Sequence, residues 1–472
     1  MKPYPVAGIS KRVLFVVLAG SMVNSLSAQE KTHQFSVKQS VEYAVKNSAQ
    51  VKNALLAVGI QQQTNREITA AAYPQINASV AGTYNPNVAT QAFPNFIAAA
   101  TYGVLTDEGV KDGNGNTIVS PNDFGFINAQ FGTQYNANVG VSLSQLLFDG
   151  QVFVGLQARR TSIAWSKKSV DVTEENIKAN IHKIYYQLVA SKTQIELIDA
   201  NIERLEKLSH DTRELYKNGF AEKLDIDKVD VQIANLRTER LRALANIQNG
   251  YLGLKMLMGM PMTDSLQLTD TLDYASIRQG VLEDAAYKYE DRVEYQYAEL
   301  GKKLNEYNVK RYKLSQIPTV SLDGGYNKNA QRNTFDFLGK GDWFTISNIN
   351  LRINIPIFNG FITKARIDRS KLELQQTQNN IENLKLTIDN EVKTAQVSFQ
   401  AAIQSLDNQQ QNMRLAESVY EQTKKKYEVG TGSNLEITSA QTDLKTAQTN
   451  YITSLYDAII AKINYQKAVG KL

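Results

Sequence analysis

Four segments of about 10 residues, set between long helical stretches, alternate apolar and polar side chains almost without exception. In the first, Ile76, Ala78, Val80, Gly82 and Tyr84 oppose Asn77, Ser79, Ala81 and Thr83; in the second, Tyr135, Ala137, Val139, Val141 and Leu143 oppose Asn136, Asn138, Gly140 and Ser142. In the third, Val320, Leu322, Gly324 and Tyr326 oppose Thr319, Ser321, Asp323 and Asn327; in the fourth, Ile349, Leu351, Ile353, Ile355 and Ile357 oppose Asn348, Asn350, Arg352 and Asn354. A period of two gives each strand one apolar and one polar face. A soluble sandwich would alternate in the same way, but two features point to a bilayer. The length is that of a tilted membrane-crossing strand, and aromatic residues gather at both ends. Tyr73, Phe148 and Phe358 stand at the helix-proximal end, and Tyr84, Tyr326, Trp343 and Phe344 at the loop end. The polar face, with Asp323 and Arg352, then lines water. Four strands cannot close, since the smallest membrane barrels have about eight and an open edge in lipid leaves backbone groups unpaired. The chain must therefore associate. Three copies would give a twelve-stranded barrel, although two or four satisfy the same argument.

The chain also repeats itself. Phe148-Asp149-Gly150 returns 210 residues later as Phe358-Asn359-Gly360, and Tyr216-Lys217-Asn218-Gly219 returns after 211 as Tyr427-Glu428-Val429-Gly430. Leu224-Asp225-Ile226 and Leu435-Glu436-Ile437 follow, and Tyr73-Pro74-Gln75-Ile76 matches Ile317-Pro318-Thr319-Val320. Heptad stripes run through the helices, among them Ile181, Ile184, Leu188, Ile195, Ile198, Ile202 and Leu205, and Val392, Ala395, Phe399, Ala402 and Leu406. Uninterrupted patterns from about Gln151 to Thr212 and from about Thr363 to Tyr427 would each reach roughly 90 to 100 Å at 1.5 Å per residue. Such helices suit a protein that crosses a compartment.

The predicted organisation follows. Residues 1–28 form a signal peptide, and residues 29–258 a first repeat: helix 36–72, strands 75–85 and 133–148 joined by surface loop 86–131, and helices 151–213 and 225–258. Residues 259–275 are a junction. Residues 276–472 form a second repeat: helix 276–316, strands 318–327 and 343–358, and helices 363–428 and 434–468.

Lys2, Lys11 and Arg12, the apolar run Val13 to Ala19 and the small residues Ser25, Ser27 and Ala28 read as a secretory signal, cleaved after Ser27 or Ala28. Its removal takes three cations, so a net charge of +5 falls to +2. No basic stripe with interleaved aromatics remains, which argues against nucleic acid. The chain has no cysteine, which excludes disulfides, thiol catalysis and thiolate metal sites. His33, His182 and His210 are the only histidines and lie outside metal-ligand spacing, and no phosphate loop or nucleophile elbow occurs. No enzyme, cofactor or metal site is expected.

The duplicated helix-strand-strand-helix unit, the Phe-Asp/Asn-Gly turns, the Tyr-x-x-Gly breaks followed by Leu-acid-Ile, and Gly259 at the start of the junction resemble the TolC-like outer-membrane efflux family. The resemblance covers the chain from about Phe35. It implies an α+β membrane protein: a homotrimeric channel-tunnel whose twelve-stranded barrel, four strands per chain, continues as a coiled-coil helical barrel in the periplasm. It implies the exit duct of a tripartite pump, partnered by a periplasmic membrane-fusion adaptor, an inner-membrane transporter of RND or ABC type and outer-membrane lipid. It further implies that Asp225 and Glu436 line or latch the periplasmic entrance with Tyr427. Gly432 and Ser439 stand where an arginine and a second acid belong in the family's pattern. Tyr216, Gly219 and Gly430 mark the helix-break tips that meet the adaptor. For Asp225 and Glu436 the plain alternative is the preference for acids at helix N-termini. Two other functions fit the same chain: a duct for type I protein secretion, and a periplasmic coiled-coil scaffold without a barrel.

Overall fold

The computed structural model describes residues 31–272, 277, 287–339 and 341–472; the predicted signal peptide, residues 1–28, lies outside them. The chain divides into two units.

The helical unit comprises the described residues of Met1–Gln62, Arg160–Asn305 and Glu373–Leu472. Its elements begin with β1 (Thr32–Phe35), α1 (Val37–Asn47) and α2 (Ala49–Ala70). The long helices are α4 (Gly150–Lys217), α5 (Lys223–Met258), α7 (Ile362–Glu428) and α8 (Asn434–Ala468). The heptad stripes become its core. Ile181, Tyr185, Leu188, Leu254 and Met258 pack in one cluster and Val392, Phe399, Leu406, Leu455 and Ile463 in another. Each fully buried aliphatic side chain contributes about 1.5–3 kcal/mol, so these seams, rather than local propensity, hold helices this long.

Three departures from the sequence expectation have physical causes. The helix expected over 36–72 breaks at Ser48, which adopts extended geometry with φ −55° and ψ 132°. The break lets Gly259, at the end of α5, approach so closely that a Cβ there would lie 2.5 Å from the Asn47 carbonyl oxygen. The junction contains a strand, β6 (Ser265–Leu268), paired in parallel with β1. Tyr185, 0% exposed, ties that pair to α4, donating to the Phe35 carbonyl at 2.9 Å and accepting from the Asp270 N–H at 3.1 Å. Burial pushes its phenol up to about 12. Of the helix expected over 276–316, residues 276 and 278–286 lie outside the described residues; within the described ones α6 (Val293–Leu314) is preceded by a 3-10 turn at Tyr289–Asp291. Between them Arg292, buried and extended, pairs with Glu294 at 3.2 Å and Glu391 at 2.9 Å and donates to the Ala468 carbonyl.

The second unit comprises Gln63–Arg159 and Glu306–Leu372. It holds β2 (Gln75–Tyr84), β3 (Thr90–Pro94), α3 (Phe96–Asp107), β4 (Phe126–Gln130), β5 (Tyr135–Phe148), β7 (Thr319–Arg332) and β8 (Phe344–Asn354). The four long strands form one antiparallel sheet in the order β2-β5-β7-β8. The register aligns Ile76, Leu143, Gly324 and Ile349 on one face and Gln75, Ser144, Asp323 and Asn350 on the other. Every residue of β2 and β8, the two edge strands, is exposed. Strand β7 runs past the expected 318–327 because Lys328 to Arg332 pair with Tyr135 to Val139, a cross-strand partnership that local polarity conceals. Strand β8 stops short of 358, with Pro356 unable to donate to a ladder. Phe344 pairs with Asn329 and so stands on the amide-bearing face, not the apolar one. The expected loop 86–131 is a small subdomain, in which β3 and β4 pair around α3.

Candidate functional site: the paired helix turns

The α4–α5 and α7–α8 hairpins turn by the same device. Gly219 and Gly430 occupy left-handed backbone at φ 80° and 76°, where a side chain would be strained. At the first turn the Phe220 N–H reaches the Leu215 carbonyl at 2.9 Å and the Gly219 N–H the Tyr216 carbonyl at 3.0 Å. At the second, Thr431 reaches Lys426 at 2.9 Å and Gly430 reaches Tyr427 at 3.0 Å. Both are Schellman closures, which satisfy carbonyls otherwise left open at a helix end.

The returning helices start with caps. The Asp225 carboxylate accepts from the Glu222 N–H at 3.3 Å, and the Ser433 hydroxyl accepts from the Glu436 N–H at 3.2 Å. Asp225 therefore caps its own helix in addition to any role in the lumen.

Beneath the turns the two hairpins share a core of Leu205, Leu208, Val229, Ile233, Leu236, Tyr420, Ile437 and Leu444. Polar contacts join them. Tyr427 Oη lies 3.0 Å from the Oγ1 of buried Thr212, and Asn434 Nδ2 donates to the Asp225 carbonyl at 3.3 Å. Lower down, buried Asn201 accepts from Gln441 at 2.7 Å and donates to Gln448 at 3.1 Å. Arg213 pairs with Asp230 at 2.6 Å within the first hairpin. Lys217 beside Glu214 at 2.7 Å holds that carboxyl below its ordinary range.

A cleft of about 1100 Å3 lies between the turns and is lined by Gly219, Asp225, Tyr427, Gly430 and Gly432 among others. Tyr216, Glu436 and Ser439 are outside its lining and exposed to solvent. Gly432 donates to the Lys426 carbonyl at 3.0 Å, and a Cβ there would stand 3.0 Å from the Tyr427 nitrogen. An arginine in that place would need the turn backbone to give by a few tenths of an ångström. Four exposed apolar side chains stand at the turns, Phe220, Leu224 and Val429 in the lining of the cleft and Leu435 outside it.

On the amide face of the sheet, Arg352 Nε lies 3.6 Å from Asp323, which also accepts from Ser144 and Ser321. The sequence reading missed Thr212, Asn201 and Gln441. Thr212 continues the Ile198–Leu205 heptad as a polar member, which was the available signal. Among the described residues no cluster of three potential metal ligands occurs, and no helix is long and apolar enough to cross a membrane.

Residues 294–471 match the outer membrane efflux protein (OEP) family. The outer membrane protein TolC of Vibrio cholerae is 19% identical over 337 residues, covering 71% of this chain and 77% of TolC. The toluene efflux pump outer membrane protein TtgC of Pseudomonas putida is 24% identical over 343 residues, covering 72% and 69%. The solved structure of CusC superposes with a TM-score of 0.72 at 17% identity, covering 92% of this chain and 91% of CusC. The chain is thus similar to outer membrane efflux proteins: residues 294–471 match the family, the relatives above align over about 70% of its length, and it shares the fold of CusC.

Proposed function

We propose that this chain is an outer-membrane efflux channel that works as a homotrimer in which three open sheets close into one twelve-stranded barrel. In this reading it is the passive exit duct of a tripartite pump, receiving substrates from an inner-membrane transporter through a periplasmic adaptor. The observation that carries the reading is the four-stranded sheet whose edge strands β2 and β8 are exposed along their whole length. A bilayer tolerates such edges only when another strand pairs with them. The amide face with Asp323 and Arg352 then lines the lumen, and the glycine turns, with Phe220, Leu224, Val429 and Leu435, meet the adaptor.

An internal duplication fits the same reading. Gly470 closes α8 as Gly259 closes α5, 211 residues earlier, each in left-handed geometry. Each glycine abuts a carbonyl just before an upstream helix, Asn47 for Gly259 and Asp291 for Gly470. At the tip, Asp225 and Glu436 each become a ring of three acids around the entrance, and the Tyr427–Thr212 contact holds the two hairpins of one chain in register.

Outer-membrane extraction with cross-linking and heat-modifiable gel migration tests the assembly. A trimer with heat-dependent migration is expected. A stable, soluble monomer refutes the barrel, and a dimer or tetramer changes only the copy number.

A further inference from the structure

The subdomain carried by the β2–β5 hairpin has an apolar surface that the family reading does not use. No charged side chain occurs between Asn85 and Thr106. Helix α3 is capped by Asn95, whose side chain accepts from the Ala98 N–H at 3.0 Å. Its inner face is anchored where Tyr102 meets Phe124, with ring centroids 5.6 Å apart, and the hairpin below is pinned by Phe93 against Phe131. The opposite face is open to solvent: Phe96 is 57% exposed, Ile97 59% and Val104 62%, with Ala100 and Thr101 between them. These positions follow the helical period, so they form one continuous apolar stripe. An exposed apolar stripe of this kind, with Val119, Phe126 and Phe131 also exposed on the subdomain, marks an interaction site.

Placement identifies the partner. The subdomain hangs from β2, a free edge of the sheet, and its stem continues the β2–β5 ladder through the Asn85–Gln134 bond. In the trimer proposed above, that edge is the boundary between subunits. A twelve-stranded barrel tilted by 35–45° has a mouth about 25 Å across. Helix α3 has 12 residues and is about 18 Å long. Three such helices standing over one mouth come within reach of one another. The flanking charges favour this arrangement over insertion in lipid. They are Asp107, Glu108, Asp112 and Asp123 against one lysine, Lys111, whereas helices that lie in a membrane surface carry Lys and Arg beside the apolar stripe.

We infer that the Ile97–Val104 face of α3 packs against the same face of the neighbouring copies, forming an apolar lid over the outer mouth of the barrel while the acidic tips stay in water. The inference rests on the trimeric-barrel reading. The chain has no cysteine, so one introduced thiol reports alone in the full-length assembly. Ile97→Cys and Val104→Cys should give disulfide-linked dimers on mild oxidation within intact trimers. Their thiols should react with a water-soluble maleimide about tenfold more slowly than that of Asn114→Cys at the acidic tip, since labelling requires transient opening of the packed face. Ile97→Asp with Val104→Asp should leave the trimer intact and raise its conductance. Fast labelling at Ile97→Cys and Val104→Cys without cross-links overturns the lid, as does quenching of a fluorophore at either thiol by brominated lipid. Native electrophoresis without a trimer removes the underlying reading, and the lid with it.

Discussion

Replacing Tyr427 with Phe isolates one contact between the two hairpins. Thr212 Oγ1 already donates to the Leu208 carbonyl at 2.8 Å, so the proton in the 3.0 Å contact comes from Tyr427. Tyr427→Phe keeps the ring in the tip core and leaves Thr212 with its own bond. The cost is therefore that of one neutral hydrogen bond, about 1 kcal/mol, without the larger penalty of a stranded buried donor. If opening the entrance separates the hairpins, one chain shifts the closed-to-open ratio by about fivefold, and the three chains of the proposed trimer acting together, at about 3 kcal/mol, by about 150-fold. Single-channel recording in planar bilayers reads this as a rise in open fraction. Thr212→Val removes the acceptor, so the double variant should open no more readily than either single one, with a coupling of about 1 kcal/mol. Additive effects of the two substitutions, or an unchanged open fraction in intact trimers, would refute the reasoning.

Tyr185→Phe strands the Asp270 N–H and leaves the Phe35 carbonyl with only the Thr269 N–H at 3.2 Å, so about 2 kcal/mol of local stability should be lost, with faster amide exchange and proteolysis at the β1–β6 pair. Asp225→Asn combined with Glu436→Gln should reduce cation selectivity if the acids face the lumen. If they serve only as helix-start acids, selectivity stays unchanged and stability falls by no more than about 1 kcal/mol per site. Glu175, buried and close to Glu294, has its carboxyl raised above the ordinary 4.5 by burial first and that neighbour second. A raised acid contributes stability that is present below its ordinary value and lost as pH rises through the folded value. Glu175→Gln should accordingly flatten the pH dependence of thermal melting from 4.5 upward and stabilise the protein at neutral pH; a steeper dependence would show the carboxylate held in its charged form.

Elements with a strong period were legible in the sequence and those fixed by distant partners were not. Alternation located the sheet, and heptads located Ile181, Leu188, Val392 and Leu406 in the core. Strand β1 is four residues, Thr-His-Gln-Phe, with no pattern of its own; its partner lies more than 230 residues away. Tyr185 falls beside the Ile181–Ile184–Leu188 stripe rather than in it, so nothing local marks it as the residue that ties three elements together. Asp225 shows the converse. Its position in the repeat suggested a gate, while its immediate contact is a helix cap. Cap geometry depends on a spacing of three residues, which is common to many helix starts and carries no sign of where a side chain ends up in an assembly.

The two Phe-Asp/Asn-Gly motifs show how far a repeat can be trusted. Both glycines stand where a strand gives way to a long helix. At Gly150 the backbone is helical and the constraint is space, since a Cβ would come within 2.8 Å of Ile317 Cδ1 and the Leu314 carbonyl. At Gly360 nothing lies within 4 Å, and the constraint is the backbone, at φ 63° and followed by Phe361 at φ 64°. Alanine at Gly150 should push the β7 approach away from α4. Alanine at Gly360 should strain one turn and disturb no neighbour. The same residue is required twice for unrelated reasons, so the repeat predicts where the chain turns, and only the packing around each turn tells what a substitution there would break.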